Sequence, residues 1–181
     1  MGDLHHARLC LSQCVGIAHA AGLSLEAGKT KSKLGDIEVR YGRLDCALAL
    51  YQEDLNATEA SGDRQAMGWC HVHIAQVHRL RGEWREAVRH AQISRRLFRE
   101  TEREVPCALA ELELAECLVG ADLLQEAGEV LDSAEKTLSA RKMALEYAIV
   151  DKLRGMIALR GGDYDQALER LRRSISVQSK G

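Results

Sequence analysis

A 40-residue period constrains this chain more than any other feature. Gly42-Arg-Leu44-Asp-Cys-Ala47, Gly82-Glu-Trp84-Arg-Glu-Ala87, Asp122-Leu-Leu124-Gln-Glu-Ala127 and Gly162-Asp-Tyr164-Asp-Gln-Ala167 share one template: a turn residue, a bulky apolar residue two later and Ala five later. Gly2-Asp-Leu4-His-His-Ala7 lies in the same phase, 40 residues before Gly42. A second series, Gly35, Ala75, Ala115 and Gly155, falls twelve residues ahead of each template Ala and is small throughout. Two small positions per period imply two helices whose backbones approach closely there. Leu11, Tyr51, Ala91, Leu131 and Leu171 follow one helical turn after the template Ala and mark the face turned to the core. Further on, Val15, Leu55 and Ile175 are apolar but Arg95 and Glu135 are charged, with Leu97 and Leu138 as substitutes nearby.

The composition agrees with helices. One Pro and one Phe in 181 residues, with Ala, Leu, Glu and Arg prominent, describe an all-α chain. First helices are expected over 26–41, 64–81, 104–120 and 143–160, and second helices over 44–60, 84–100, 124–139 and 164–178. An unpaired second-type helix over 3–20 precedes them, for about nine helices in a single domain: a partial repeat 1–22, then repeats 23–62, 63–102, 103–142 and 143–181. Asp63 and Asp163 can cap helix starts, and Thr101-Glu-Arg-Glu104 has capping-box spacing, with Pro106 placing that start nearer Glu104.

A small residue in the first helix, then Gly-x-(Leu/Trp/Tyr)-x-x-Ala, then a packing residue four further on resembles the tetratricopeptide repeat (TPR). Leu34-Gly35, Ile74-Ala75 and Leu114-Ala115 match the family's Leu-Gly pair. The chain departs from the family in its period of 40 rather than 34, in Arg154 before Gly155 and in lacking the closing Pro. The longer period is similar to TPR-like arrays in bacterial signalling regulators and in some eukaryotic scaffold proteins.

The resemblance implies an α-solenoid of stacked antiparallel helix pairs, a right-handed superhelix with first helices lining a concave groove. Carried onto this chain, the groove positions are Asp36, Val39 and Arg40, then Trp69, Val72, Gln76 and Arg79, then Leu109, Leu112, Glu116 and Val119, and finally Lys152, Met156, Leu159 and Arg160. Such a groove, apolar in its third repeat and basic on either side, suits an amphipathic helix or peptide of a protein partner carrying some acid. Val72, Leu109 and Leu112 could equally pack between repeats. The family's clamp for a C-terminal carboxylate needs Lys and Asn in the groove, whereas the only Asn here is Asn56, in a second helix.

Catalysis is not expected. No Gly-x-Ser-x-Gly, phosphate loop or dinucleotide fingerprint occurs, and Glu111, Glu113 and Glu116 fit a solvated helix face. Two metal candidates exist, Cys70-His71-Val-His73 with His78, and His6, Cys10 and Cys14 at i, i+4 and i+8. In the first only two ligands share a face, and in the second Cys14 falls at a position of mostly small residues, so packing is favoured and neither metal nor cofactor is expected. The six cysteines form no Cys-x-x-Cys and read as reduced thiols.

With 25 Lys and Arg against 27 Asp and Glu, net −2, no global field draws the chain to nucleic acid or membrane. Arg79, Arg81, Arg85, Arg89, Arg95, Arg96, Arg99 and Arg103 do crowd the second repeat, so a nucleic-acid-binding repeat is the alternative reading. The interleaved Glu83, Glu86, Glu100, Glu102 and Glu104 favour ordinary ion pairs instead. Without a signal-peptide layout or a membrane-length apolar run, a cytoplasmic location is expected. The unpaired first helix and the apolar Leu168, Leu171, Ile175 and Val177 in the last suggest a piece of a longer array or a homodimer through its ends.

Overall fold

In the computed structural model, residues 2 to 178 are described, with side chains for 3 to 177. The outermost ends of the expected repeats, Met1 and the residues after Gln178, lie outside the described residues. Nine α-helices and no strand occur among the described residues: α1 (Gly2–Ala20), α2 (Ser24–Arg40), α3 (Leu44–Ser61), α4 (Arg64–Leu80), α5 (Trp84–Glu100), α6 (Glu104–Gly120), α7 (Leu124–Ala140), α8 (Ala144–Arg160) and α9 (Tyr164–Gln178). None is long and apolar enough to cross a membrane.

The turns reveal a finer period than the sequence does. Positive φ recurs every 20 residues, at Gly22, Gly42, Gly62, Gly82, Glu102, Asp122, Lys142 and Gly162. At each, the following N–H reaches back five residues, as in Arg43 to the Glu38 carbonyl and Met143 to the Leu138 carbonyl. That is the Schellman closure, which satisfies the end of one helix. The same following residue then accepts the first bond of the next helix, as Arg43 does from Ala47 N–H. Asp63 and Asp163 cap as expected, accepting from Ala66 and Gln166 N–H. Thr101 does not form the expected capping box, because its hydroxyl donates backward to the Leu97 and Phe98 carbonyls.

Left-handed backbone strains any residue with a Cβ, by about 1 kcal/mol. Glu102→Gly and Lys142→Gly should therefore each raise stability by about 1 kcal/mol, seen as a higher Tm, whereas unchanged melting would refute strain at φ 51° and 54°.

Within each pair, bulk is traded across the contact. A Cβ on Gly35 would stand 2.6 Å from the Tyr51 ring, and one on Gly155 2.8 Å from Leu171 Cγ. The equivalent pairs are Ala75 with Ala91 and Ala115 with Leu131, all fully buried. A polar clasp adds to this at the position 31/71/111/151. Lys31 pairs with Glu53, His71 with His90, Glu111 with Ser133 and Asp151 with Arg170, each joining the first helix of a pair to its second.

Across pairs, α4 also packs on α6 and α6 on α8, whereas the successive second helices α3, α5, α7 and α9 make no comparable contact with one another. The first helices α4, α6 and α8 therefore crowd on the inner, concave side and the second helices splay on the outer side. Trp84, at the template's bulky position, bridges to the next repeat by lying on Gly120, where a Cβ would overlap the indole. Tyr164, its counterpart in the last described helix, is 70% exposed.

Candidate functional site

The inner surface of α4, α6 and α8 brings six of the expected groove residues together. Arg79, Glu116, Val119, Lys152, Met156 and Arg160 line a depression of about 280 Å3, joined by Trp84, Gly120 and Leu153. The last three were not foreseen. A glycine closing α6, in phase with Arg40, Leu80 and Arg160, was the signal that could have found the Trp84–Gly120 contact.

Its charges are already paired. Arg79 Nε donates to Glu113 Oε1 at 2.7 Å and Arg79 Nη2 lies 3.0 Å from Glu116 Oε2. Lys152 Nζ donates to the other oxygen of Glu116 at 2.6 Å. Arg160 donates to the Val119 carbonyl and, at 3.0 Å, to Asp122. These bonds run between adjacent repeats, so they tie the stack and order the groove at once. Burial raises the Glu113 carboxyl above its ordinary range, against the opposing pull of Arg79. The expected flanking basic surface is thus largely neutralised by carboxylates of α6 and of the turn that follows it.

Two of the fifteen candidate positions belong to the core. Leu112 is 5% and Val119 1% exposed, both packed in the central cluster with Leu131 and Leu153. Contact with both α4 and α8 covers the α6 face that would otherwise open to the groove. Leu109 is half-buried against the same cluster, as is Met156. Trp69, Val72 and Gln76 are half-buried on α4, with Trp69 set edge-on to Phe98 at 5.0 Å. In the first pair Asp36 is exposed but accepts from the Tyr51 hydroxyl at 2.7 Å, Val39 packs beside Tyr51, and Arg40 is exposed. Leu159 is 49% exposed.

The carboxylates expected on a solvated face are not solvated. Glu111 is buried and held by Arg99 at 2.8 Å and Ser133 at 3.0 Å. The histidines are likewise structural. His71 and His90 meet Nδ1 to Nδ1 at 2.8 Å, His78 stacks on His90 and pairs with Glu83, and His73 lies against Tyr51 at 4.9 Å. On α1, Cys10 and Cys14 are exposed, so the packing expected at Cys14 does not occur; among the described residues the main neighbour of this helix is α2. His6 Nε2 is 3.6 Å from Cys10 Sγ, and no group of three ligands is assembled among the described residues. Burial pushes the Cys70 thiol up to about 12 and Cys117 up as well, which keeps both neutral.

No family model matches the chain, and no curated protein matches it. Solved structures do. The crystal structure of BtubC (BKLC) from P. vanneervenii superposes with a TM-score of 0.79 at 17% identity, covering 98% of this chain and 74% of that one. Two structures of a putative kinesin light chain from Podosopora anserina, described as nearly identical TPR-like repeats, superpose with TM-scores of 0.76 and 0.72. Their identities are 16% and 17%, and they cover 99% of this chain with 88% and 89% of theirs. The fold is that of a TPR-like helical-repeat solenoid.

Proposed function

We propose that this TPR-like solenoid is a non-catalytic scaffold that holds a peptide or helix of a protein partner in its concave groove, as a module of a larger regulatory system in the cytoplasm. The observation that carries the reading is the depression between α4, α6 and α8. It combines apolar surface from Trp84, Met156 and the bare backbone of Gly120 with charges fixed in place by Glu113, Glu116 and Asp122. A preorganised mixed surface of that kind favours a partner with alternating acid and base around aliphatic anchors, since an incoming carboxylate must exchange with one already bound.

The test is a pair of substitutions outside the fully buried core, at Met156, half-buried on its edge, and at the exposed Leu159. Met156→Glu with Leu159→Glu should preserve helicity by circular dichroism while abolishing capture of the partner recovered with the unaltered protein. Retention of that partner by a folded double variant would remove the groove assignment. Leu112 and Arg79 are unsuitable for this purpose, because the first is core and the second ties two repeats together.

A further inference from the structure

The groove neutralises its own charge, whereas α5 does not. Arg85, Arg89, Arg96 and Arg99 recur at helical spacing on the side of α5 opposite its buried residues Ala87, Ala91, Ser94 and Phe98. Arg89 and Arg99 each hold one internal carboxylate, Glu86 and Glu111, at 2.8 Å, and Arg96 only approaches Glu100 at 4.0 Å. Arg85, Arg95 and Arg103 have no carboxylate partner among the described residues. A shallow depression of about 490 Å3 runs along this side, lined by Arg89, Arg95, Arg96 and Arg99 with Ile93 and Glu100.

Folding alone does not call for this arrangement. Arg85 with Arg89, Arg95 with Arg99 and Arg96 with Arg99 are like charges at i, i+4 or i, i+3, which oppose the helix, and Arg85 stands in the first turn, where the dipole disfavours a cation. Of the other outer helices, α9 is also rich in Arg but commits Arg170 and Arg173 to Asp151, while α3 and α7 go the opposite way. α3 carries Asp45, Glu53, Asp54 and Glu59 with no Lys or Arg, and α7 carries Glu126, Glu129, Asp132 and Glu135 against Lys136 alone. The field is felt inside: His71 is pushed down to about 4 by burial first and then by the charges of Arg89 and Arg96.

We infer that the outer face of α5 is a second docking surface, separate from the groove, for an acidic helical segment of a protein partner. Arg85, Arg89 and Arg96 stand at i, i+4 and i+11, so Glu residues at matching positions on a facing helix can each meet a guanidinium, with Ile93 as the apolar contact. A nucleic acid fits less well. The rings that could stack on bases are elsewhere: Phe98 is buried, Trp84 lies on Gly120 and Trp69 lies against Phe98.

The test is fluorescence anisotropy with a labelled Ala-rich peptide bearing Glu at i, i+4, i+7 and i+11, its Gln counterpart, and a single-stranded and a duplex DNA oligonucleotide. The Glu peptide should bind, weaken as salt rises, and lose at least tenfold in affinity with Arg95→Glu plus Arg96→Glu; the Gln peptide should bind at least tenfold more weakly. Should charge reversal unfold the protein, Arg95→Gln with Arg96→Gln gives the same comparison. Met156→Glu with Leu159→Glu should leave this binding unchanged, which separates it from the groove reading. On binding, the His71 and His90 imidazole resonances should titrate at higher pH. Failure of the Glu peptide to bind, affinity indifferent to the arginine substitutions, or oligonucleotide binding as tight as the Glu peptide would each overturn the proposal.

Discussion

Phe98→Ala should lower stability by about 3–5 kcal/mol, a loss of the size seen when a large buried ring leaves a cavity. The side chain is 0% exposed and is the only Phe in the chain. Its ring fills the space over Gly68, where a Cβ would come within 2.8 Å, and meets Trp69 edge-on at 5.0 Å. Phe98 also sits at the last turn of α5, where its carbonyl accepts the Arg103 N–H that closes the helix. In a solenoid each pair is stabilised by its neighbours, so loosening α4 against α5 should divide the array and broaden urea unfolding as well as shifting its midpoint. Gly68→Ala alone should also destabilise, by clash with the ring. Combined with Phe98→Ala, the added methyl enters the cavity, so the double variant should be less destabilised than the sum of the two. A strictly additive cycle would show that the ring and the glycine do not constrain one another.

The solenoid was legible because stacking repeats one contact in every unit. Gly35 facing Tyr51 and Gly155 facing Leu171 left a small-and-large signature 40 residues apart. The 20-residue turn was hidden. Gly22 and Gly62 continue in the same phase as Glu102 and Lys142, which broke that half of the pattern, so only the half at 42, 82, 122 and 162 surfaced as a template. The groove was legible only in outline. Which apolar residues of α6 face inward depends on its being covered from both sides, although a helix that reads Glu-Val-Pro-Cys-Ala-Leu-Ala-Glu-Leu, apolar almost all round, carries that signal. The pairing of Arg79 with Glu113 and Lys152 with Glu116 was not legible, because sequence spacing names possible partners in the next repeat without saying which side chain reaches which. The same limit hid the clasp of His71 on His90, whose spacing of 19 residues fits no single-helix rule.

That clasp makes the fold acid-labile well above the carboxylate range. His71 and His90 are pushed down to about 4, by burial first and then by neighbouring positive charge, so both are neutral in the folded protein at pH 5, while in the unfolded chain they titrate near 6.5. Between those values the unfolded state binds more protons, and stability must fall as pH falls. At pH 5 the loss is about 2 kcal/mol for each imidazole, all of it absent above about pH 7. His73, lowered by burial, acts in the same direction, whereas Glu113, raised by burial, acts in the opposite one. Substituting the clasp isolates its share. His71→Leu with His90→Leu removes both partners at once and leaves no orphaned donor, so it should cost little at pH 7.5. Urea unfolding at pH 7.5 and 5.0 should then show the unaltered protein losing about 4 kcal/mol more than the double variant. Equal losses in the two proteins would mean that the imidazoles are already protonated in the folded state, and that the ring nitrogens 2.8 Å apart do not share a single hydrogen.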